Sequence, residues 1–294
     1  MVSKFNFNDL NVSRGIGSIR KTFNKGSSGK KKAARNFKIW LIITLSMLGV
    51  IFFMQFFPPY DPYQIDVKNI MRGPSAEHLL GTDYLGRDLL SRLMVGGTRS
   101  VFTAILVVII NATVGTLIGI ISGYVGGKAD LIVMRITDMF QAFPRLVFTI
   151  AIAAMLGGGL GWSVLAICTV GWTPYARLAR AQALSLKERT FVNAARVTGQ
   201  SRPAVLLPNA LTPLIVEASM DVGRVILEFA GLSFLGLGTA RPYPEWGSML
   251  NDAQTSFMIV PHTALVPGIA ILIVVVIVGI FGDSVNEYLS SKED

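Results

Sequence analysis

The chain has 294 residues, of which 51% are hydrophobic and only 15% are charged. Soluble domains carry about 25% charged residues, so this composition excludes an ordinary soluble domain and indicates an integral membrane protein. The net charge is +9, but the basic residues are concentrated in segments between apolar runs, which is a pattern of membrane topology rather than of a nucleic-acid-binding face. The single cysteine, Cys168, excludes a disulfide within the chain and lies in an apolar run, as an inert core thiol does.

The first 38 residues are predicted to be a basic cytoplasmic tail, since they hold ten Lys and Arg against one acidic residue, Asp9. The centre of this tail, GSSGKKK at 26–32, is expected to be flexible because it is rich in Gly and Ser. Two interpretations stay open: the tail binds anionic lipid headgroups, or it is solvated and only fixes orientation. Residues 39–57 carry no charge and are long enough for a first membrane span, whose start the positive-inside rule places in the cytoplasm.

Residues 58–99 are predicted to form an external loop, because their five basic and five acidic residues cancel. Leucines recur within this loop at helical spacing, at Leu85, Leu89, Leu90 and Leu93. This spacing predicts a short amphipathic helix that rests at the membrane interface.

Residues 100–286 are predicted to form the core, with five further spans at about 101–121, 131–156, 162–175, 211–237 and 263–281. Pro144 marks a kink in the third apolar run, and Gly157–Gly159 follow it as an outer turn. The loop at about 177–208 is strongly basic and is therefore predicted to be cytoplasmic. The acidic tail at 287–294 is predicted to be cytoplasmic as well, because six spans return the chain to that side. The expected fold is all-α, with six transmembrane helices and both termini in the cytoplasm.

No arrangement of residues typical of a catalytic centre stands out in the sequence. No G-x-x-x-x-G-K-[ST] pattern occurs, so the chain is not expected to bind nucleotide as a P-loop protein. Its two histidines, His78 and His262, lie in predicted external loops and indicate neither a metal site nor a catalytic arrangement. We therefore expect a chain that is not an enzyme and that holds no metal.

Four ionisable residues interrupt the fifth span, and steps of four, three and four place them on one helical face: Glu217, Asp221, Arg224 and Glu228. Charges at membrane depth cost at least about 2.5 kcal/mol each, so they are expected to face water or one another. Two interpretations stay open: an ion-pair ladder, in which Arg224 contacts both Asp221 and Glu228, or a stripe that lines a solute pathway. Three charges of the third run are expected near its cytoplasmic half: Arg135, Asp138 and Arg145.

Residues 193–199 read NAARVTG and resemble the cytoplasmic signature of permease subunits of ATP-binding-cassette importers, E-A-A-x-x-x-G followed by I-x-L-P. Ala194, Ala195 and Gly199 match this signature, whereas Asn193 stands where the family has an acidic residue. The spacing from Gly199 to Pro208 is also shorter than in the family. Longer blocks are similar to the C-type permease of dipeptide, oligopeptide and nickel importers: 79–100, 138–144, 171–195, 228–250, Pro267-Gly268 and Gly282-Asp283. The resemblance runs from about residue 55 to the C-terminus.

This resemblance implies a transport subunit of the type I importer kind in the cell (inner) membrane. Its partners would be a second permease in a heterodimer, two ATPase subunits that bind ATP and magnesium, and an extracellular or periplasmic solute-binding protein; no nucleic acid is expected. The solute would be a peptide, with nickel, another metal or a metal chelate as the alternative. The residues implied to couple the permease to the ATPases are Asn193, Ala194, Ala195, Arg196 and Gly199. The alternative from a different class is a non-transport anchor subunit, which would predict histidine ligands within spans.

Overall fold

The computed structural model describes residues 12–187 and 202–293, with side chains at 29–185 and 211–292. These residues form eight α-helices, one 3-10 turn at Val67–Asn69 and no strand. The prediction of an all-α chain is thereby confirmed. The helices are α1 Val12–Met54, α2 Leu89–Val125, α3 Gly127–Gln141, α4 Arg145–Met155, α5 Leu160–Lys187, α6 Arg202–Phe234, α7 Trp246–Ala253 and α8 His262–Glu293.

Three stretches of helix are long and apolar enough to cross a membrane: Gly29–Met54, Leu89–Val125 and His262–Lys292. Helices α3 and α4 add a fourth if they count as one span, although they meet at an angle of 88°. The predicted kink at Pro144 is therefore confirmed. Proline lacks a backbone N–H and its ring clashes with the preceding turn, so α3 ends at Gln141 and α4 begins at Arg145.

The predicted short amphipathic helix around Leu85–Leu93 is wrong. Leu85 precedes the helix, and Leu89 is the first residue of α2, which continues without a break to Val125. The side chain of Asp88 caps α2 by accepting a hydrogen bond from the backbone N–H of Ser91 at 2.8 Å. Leu89 is buried rather than exposed at an interface, because neighbouring loop residues cover the first turn of the helix.

The segment 26–32, predicted to be flexible, is part of helix α1. The Gly and Ser residues each lower helix stability by only about 1 kcal/mol or less, and the Lys, Ala and Arg residues that follow favour a helix. Tertiary contacts then hold this helix, since the ring of Phe37 stacks on Tyr288 of α8 with centroids 4.6 Å apart.

The predicted basic loop at about 177–208 is shorter than expected, because α5 continues to Lys187 and α6 begins at Arg202. Two of its arginines lie on α5 and pair with carboxylates of α3: Arg177 with Asp138 at 2.7 Å, and Arg180 with Asp130 at 2.6 Å. These ion pairs join the extended part of α5 to α3. Only residues 188–201 of the predicted loop lie outside the described residues.

Helices α2 and α5 pack closely against each other through a row of glycines on α2. Gly115, Gly119 and Gly123 lie against the backbone of α5, where a Cβ at Gly119 would overlap the carbonyl oxygen of Ala176 and lie 2.8 Å from the Cβ of Ala179. Small residues at a fixed spacing permit this kind of approach between membrane helices. The pair positions α5 against α6, where the charged cluster described below lies.

Gly119→Ala is expected to destabilise the protein by about 1–3 kcal/mol, because the added methyl group forces α2 away from α5. The matched control is Gly279→Ala in α8, where an added Cβ has no neighbour within 4 Å. Alanine is the better helix former, so the control is expected to be neutral or slightly stabilising. Thermal unfolding of the detergent-solubilised protein compares the two, and equal unfolding midpoints would contradict the close contact.

Candidate functional site

A charged cluster lies where helices α4, α5 and α6 meet, and α6 contributes its acidic residues and one arginine. Asp221 and Glu228 are 1% and 6% exposed. The guanidinium Nη1 of Arg224 lies 2.9 Å from Asp221 Oδ1 and 3.8 Å from Glu217 Oε1. The predicted pair of Asp221 with Arg224 is therefore present.

Glu228 pairs with a different arginine from the one predicted. Arg145, the first residue of α4, places Nη2 3.0 Å from Glu228 Oε2 and Nη1 3.6 Å from Asp221 Oδ1. The helix break at Pro144 brings Arg145 to α6, where it lies between the two buried carboxylates. The predicted contact of Arg224 with Glu228 is wrong, because Arg145 occupies that position.

Two neutral side chains complete the inner part of the cluster. The hydroxyl of Tyr175, on α5, donates a hydrogen bond to Asp221 Oδ2 at 3.0 Å. The hydroxyl of Thr149, on α4, lies 2.9 Å from Glu228 Oε1. Each buried carboxylate thus contacts both a cation and a neutral hydroxyl, which offsets part of the free energy of removing it from water. Glu228 Oε2 itself accepts no hydrogen bond from the described residues, so its contact with Arg145 is an ion pair only.

The cluster has a buried part and an open part. The side chains of Arg224 and Glu217 are 55% and 31% exposed, whereas that of Arg145 is 21% exposed and those of Asp221 and Glu228 are nearly inaccessible. Three carboxylates and two guanidinium groups leave one excess negative charge. The open part therefore offers charges of both signs, and it can bind the charged groups of a polar solute.

A second polar network joins two segments at one end of the bundle, which we call the loop end (residues 58–88 and 235–261). Asp252 of α7 contacts three arginines: Arg87 at 2.9 Å, Arg241 at 2.7 Å and Arg92 at 3.5 Å. Asp83 pairs with Arg87 as well, at 2.6 Å. The network holds together two parts of the chain that are more than 140 positions apart in sequence.

Glu245 anchors helix α7 at the same end. It is fully buried and accepts hydrogen bonds from the hydroxyl of Ser100 at 2.9 Å and from the backbone N–H groups of Gly247 at 2.8 Å and Ser248 at 2.9 Å. Burial raises the pKa of Glu245, and these donors act in the opposite direction because they favour the carboxylate. The arrangement fixes α7 to α2 through one side chain.

His78 belongs to the loop end, and His262 lies next to it as the first residue of α8. His78 Nδ1 is 3.0 Å from Asp88 Oδ1, and His262 lies against Gly81, where an added Cβ would be 2.7 Å from the ring Nε2. In the part of the chain that the structure describes, no group of three or more His, Cys, Asp or Glu residues could hold a metal ion.

Residues 115–293 match the family model described as "binding-protein-dependent transport system inner membrane component". The chain belongs to this family. It is 41% identical over 255 residues to the probable D,D-dipeptide transport system permease protein DdpC of Escherichia coli, covering 85% of this chain and 86% of the relative. It is 37% identical over 256 residues to the glutathione transport system permease protein GsiD of Pectobacterium atrosepticum, covering 85% of each chain.

A third relative is the nickel transport system permease protein NikC of Escherichia coli, 37% identical over 256 residues, or 86% of this chain and 92% of the relative. The resemblance to C-type permeases of dipeptide, oligopeptide and nickel importers is thus confirmed. The chain is a multi-pass permease of the cell inner membrane, and its family is one of transport subunits rather than enzymes.

The residues implied to couple this permease to ATPases all lie in 188–201, outside the described residues. The four charged residues of the fifth span lie on α6, where Arg224 contacts Asp221 and Glu217, and Glu228 joins the group through Arg145. Of the charges in the third run, Arg135 is exposed and Asp138 pairs with Arg177, whereas Arg145 enters the cluster.

Sequence analysis missed Arg145, Tyr175 and Thr149 as members of the cluster. One signal in the sequence could have found Arg145. The fifth span carries three acids and one base, and a charge at membrane depth needs a partner of opposite sign. Because the acidic residues of this span outnumber its one basic residue, another cation is expected nearby. Arg145 follows directly after the predicted kink at Pro144.

Proposed function

We propose that this permease pairs with a second, related permease to form the solute pathway of an ATP-binding-cassette importer. Two ATPase subunits would bind from the cytoplasm, with ATP and magnesium on those subunits rather than on this chain. A solute-binding protein would deliver the solute to the loop end. The topology is six spans with both termini in the cytoplasm. The observation that carries this proposal is the 41% identity to a transport permease over 255 residues.

The charged cluster is the proposed part of the pathway, with Glu217, Asp221, Arg224 and Glu228 on the pathway face of α6. Its open part supports this role, because Arg224 and Glu217 are the exposed members of the group. Arg145 lies between the two buried carboxylates behind them. A rigid, charged surface of this kind can contact a polar solute without rearranging.

The coupling element is proposed to be Asn193, Ala194, Ala195, Arg196 and Gly199. Small side chains at 194, 195 and 199 permit close insertion into a groove of an ATPase subunit. The segment 188–201 connects α5, which carries Tyr175, to α6, which carries Asp221. A rigid-body movement of the docked segment would therefore reach the charged cluster directly through both helices.

Peptide is the proposed solute, with nickel or a metal chelate as the alternative. Two relatives are named for glutathione and D,D-dipeptide transport, and one is named for nickel transport. Exposed charges of both signs suit a zwitterionic peptide, whose ends carry an ammonium and a carboxylate group. Uptake of a radiolabelled dipeptide, measured against uptake of ⁶³Ni²⁺ in the same cells, decides between the two.

Gly199→Glu is expected to uncouple transport, because a carboxylate in place of a hydrogen atom obstructs insertion into the ATPase groove. Uptake should fall at least about tenfold while the amount of permease in the membrane stays constant. Gly199→Ala is the matched control, and it should retain most uptake. Co-purification is the second measurement: recovery of no ATPase subunits with the tagged permease, even after crosslinking from cysteines placed at 193–199, contradicts the importer. A non-transport anchor subunit would give that result.

A further inference from the structure

Helix α1 carries two different faces along its described length. One face is covered by the bundle: Ala33, Thr44 and Ile51 are buried, and Phe37 stacks on Tyr288 of α8. The opposite face is open between residues 31 and 53. Its residues follow one another in steps of three and four, which keeps them on a single stripe.

The composition of the open stripe changes along the helix. Its apolar part includes Ile42, Leu45 and Phe53, which are 63%, 59% and 62% exposed. In a helix that crosses the inner membrane, an exposed stripe of this kind lies against lipid acyl chains. Directly before it, Lys31, Arg35 and Lys38 continue the same stripe at the same spacing, and all three are exposed.

These three cations have no counter-charge within the described part of the chain. The ion pairs of the described residues involve arginines and a histidine elsewhere, and none joins Lys31, Arg35 or Lys38 to a carboxylate. Residues 29–54 contain no acidic residue at all. Long basic side chains that continue an acyl-facing stripe extend toward the headgroup region, where lipid phosphates lie.

We infer that the open stripe of α1 binds the headgroup of an anionic phospholipid through Lys31, Arg35 and Lys38, with the acyl chains of the same lipid along Ile42, Leu45 and Phe53. An acidic protein surface would complement the three cations but not the apolar stripe. Only an anionic lipid matches the cations and the apolar stripe that continues them. The binding surface is independent of the pathway and of the coupling segment.

The test compares two variants of equal charge. Arg35→Gln/Lys38→Gln removes two cations from the stripe, and Lys30→Gln/Lys32→Gln removes two exposed cations that lie about 100° to either side of Lys31. Native mass spectrometry of the full-length permease, titrated separately with phosphatidylglycerol and phosphatidylcholine, gives the ratio of the two affinities for each protein. Circular dichroism checks that each variant is folded.

The unaltered protein is expected to prefer phosphatidylglycerol. Each cation near an anionic headgroup corresponds to about a fivefold preference, so Arg35→Gln/Lys38→Gln should lower the ratio at least about fivefold, and the control double variant should lower it clearly less. An equal loss in both double variants, an unchanged ratio in Arg35→Gln/Lys38→Gln, or no preference in the unaltered protein overturns the inference. If a double variant does not fold, the four single substitutions make the same comparison.

Discussion

Arg145→Met is expected to lower the free energy of unfolding by about 3–5 kcal/mol, because it leaves buried carboxylates without their cation. Glu228 depends on Arg145 most: it is 6% exposed, and its described charge partner is the guanidinium 3.0 Å away. Asp221 is affected less, since Arg224 lies 2.9 Å from it. Thermal unfolding of the purified protein measures the loss, and uptake of solute is expected to fall with it.

A double substitution separates the ion pair from the packing of the arginine side chain. Glu228→Gln removes the buried charge that Arg145→Met leaves behind, so Arg145→Met/Glu228→Gln should recover about half or more of the lost stability. Arg135→Met is the control, since Arg135 is exposed on α3 and its replacement should change stability by less than about 0.5 kcal/mol. If the double variant is as unstable as Arg145→Met, the loss comes from packing and not from unpaired charge.

Stability and transport need not respond alike to these variants. Arg145→Met/Glu228→Gln restores the net charge of the unaltered cluster but changes the charge distribution behind Arg224 and Glu217. If the cluster lines the pathway, this variant is expected to be folded and yet impaired in uptake. Near-normal uptake by a folded Arg145→Met/Glu228→Gln permease would place the pathway elsewhere and leave the cluster a structural one.

Local patterns in the sequence predicted the helical elements because their causes are local. Apolar runs indicated most of the membrane helices, and Pro144 predicted the break that the structure shows between α3 and α4. The spacing of the charges in the fifth span predicted that they share a face of α6. These features depend on residues within one or two helical turns, so a single sequence contains them.

Long-range contacts account for what the sequence did not predict. The contacts of Arg145 with Asp221 and Glu228 were not predicted, since nothing near Arg145 in sequence shows that α4 meets α6. The end of α5 was predicted too early. Arg177 and Arg180 follow the apolar run, as loop residues do, and the sequence does not show that they pair with carboxylates of α3. Likewise α2 begins before its apolar run, since contacts at the loop end bury its first turn.

The ionic network at the loop end also depends on long-range contacts that the sequence did not predict. Asp83 and Arg87 lie in one block of family resemblance, and Asp252 lies two positions after the end of another. The sequence showed both blocks but not that they form a single buried ionic group. The residues in and next to these two blocks therefore have a physical role, since they hold the loop end together.

Asp252→Ala is expected to destabilise the loop end by about 3–5 kcal/mol, comparable to the loss of a buried ion pair elsewhere. The side chains of Arg87 and Arg92 are each 2% exposed. Without Asp252 they would share the single carboxylate of Asp83, which lies 2.6 Å from Arg87 and 3.5 Å from Arg92. The side chain of Arg241 is 64% exposed and is solvated without Asp252. The destabilisation therefore comes from the two buried arginines, Arg87 and Arg92.

Hydrogen exchange locates this effect. In Asp252→Ala, amide protection should fall at residues 78–92 and 241–252 together, because Asp252 is a common partner of both segments. Asp61→Ala is the control: Asp61 is exposed and its carboxylate accepts a hydrogen bond from the nearby backbone N–H of Tyr63, so protection should change only around residue 61. Loss of protection at 241–252 alone would show that Asp83 suffices to hold the first segment. Loss in both segments would establish that one carboxylate joins the two blocks, and that movement of α7 is transmitted to the first turn of α2.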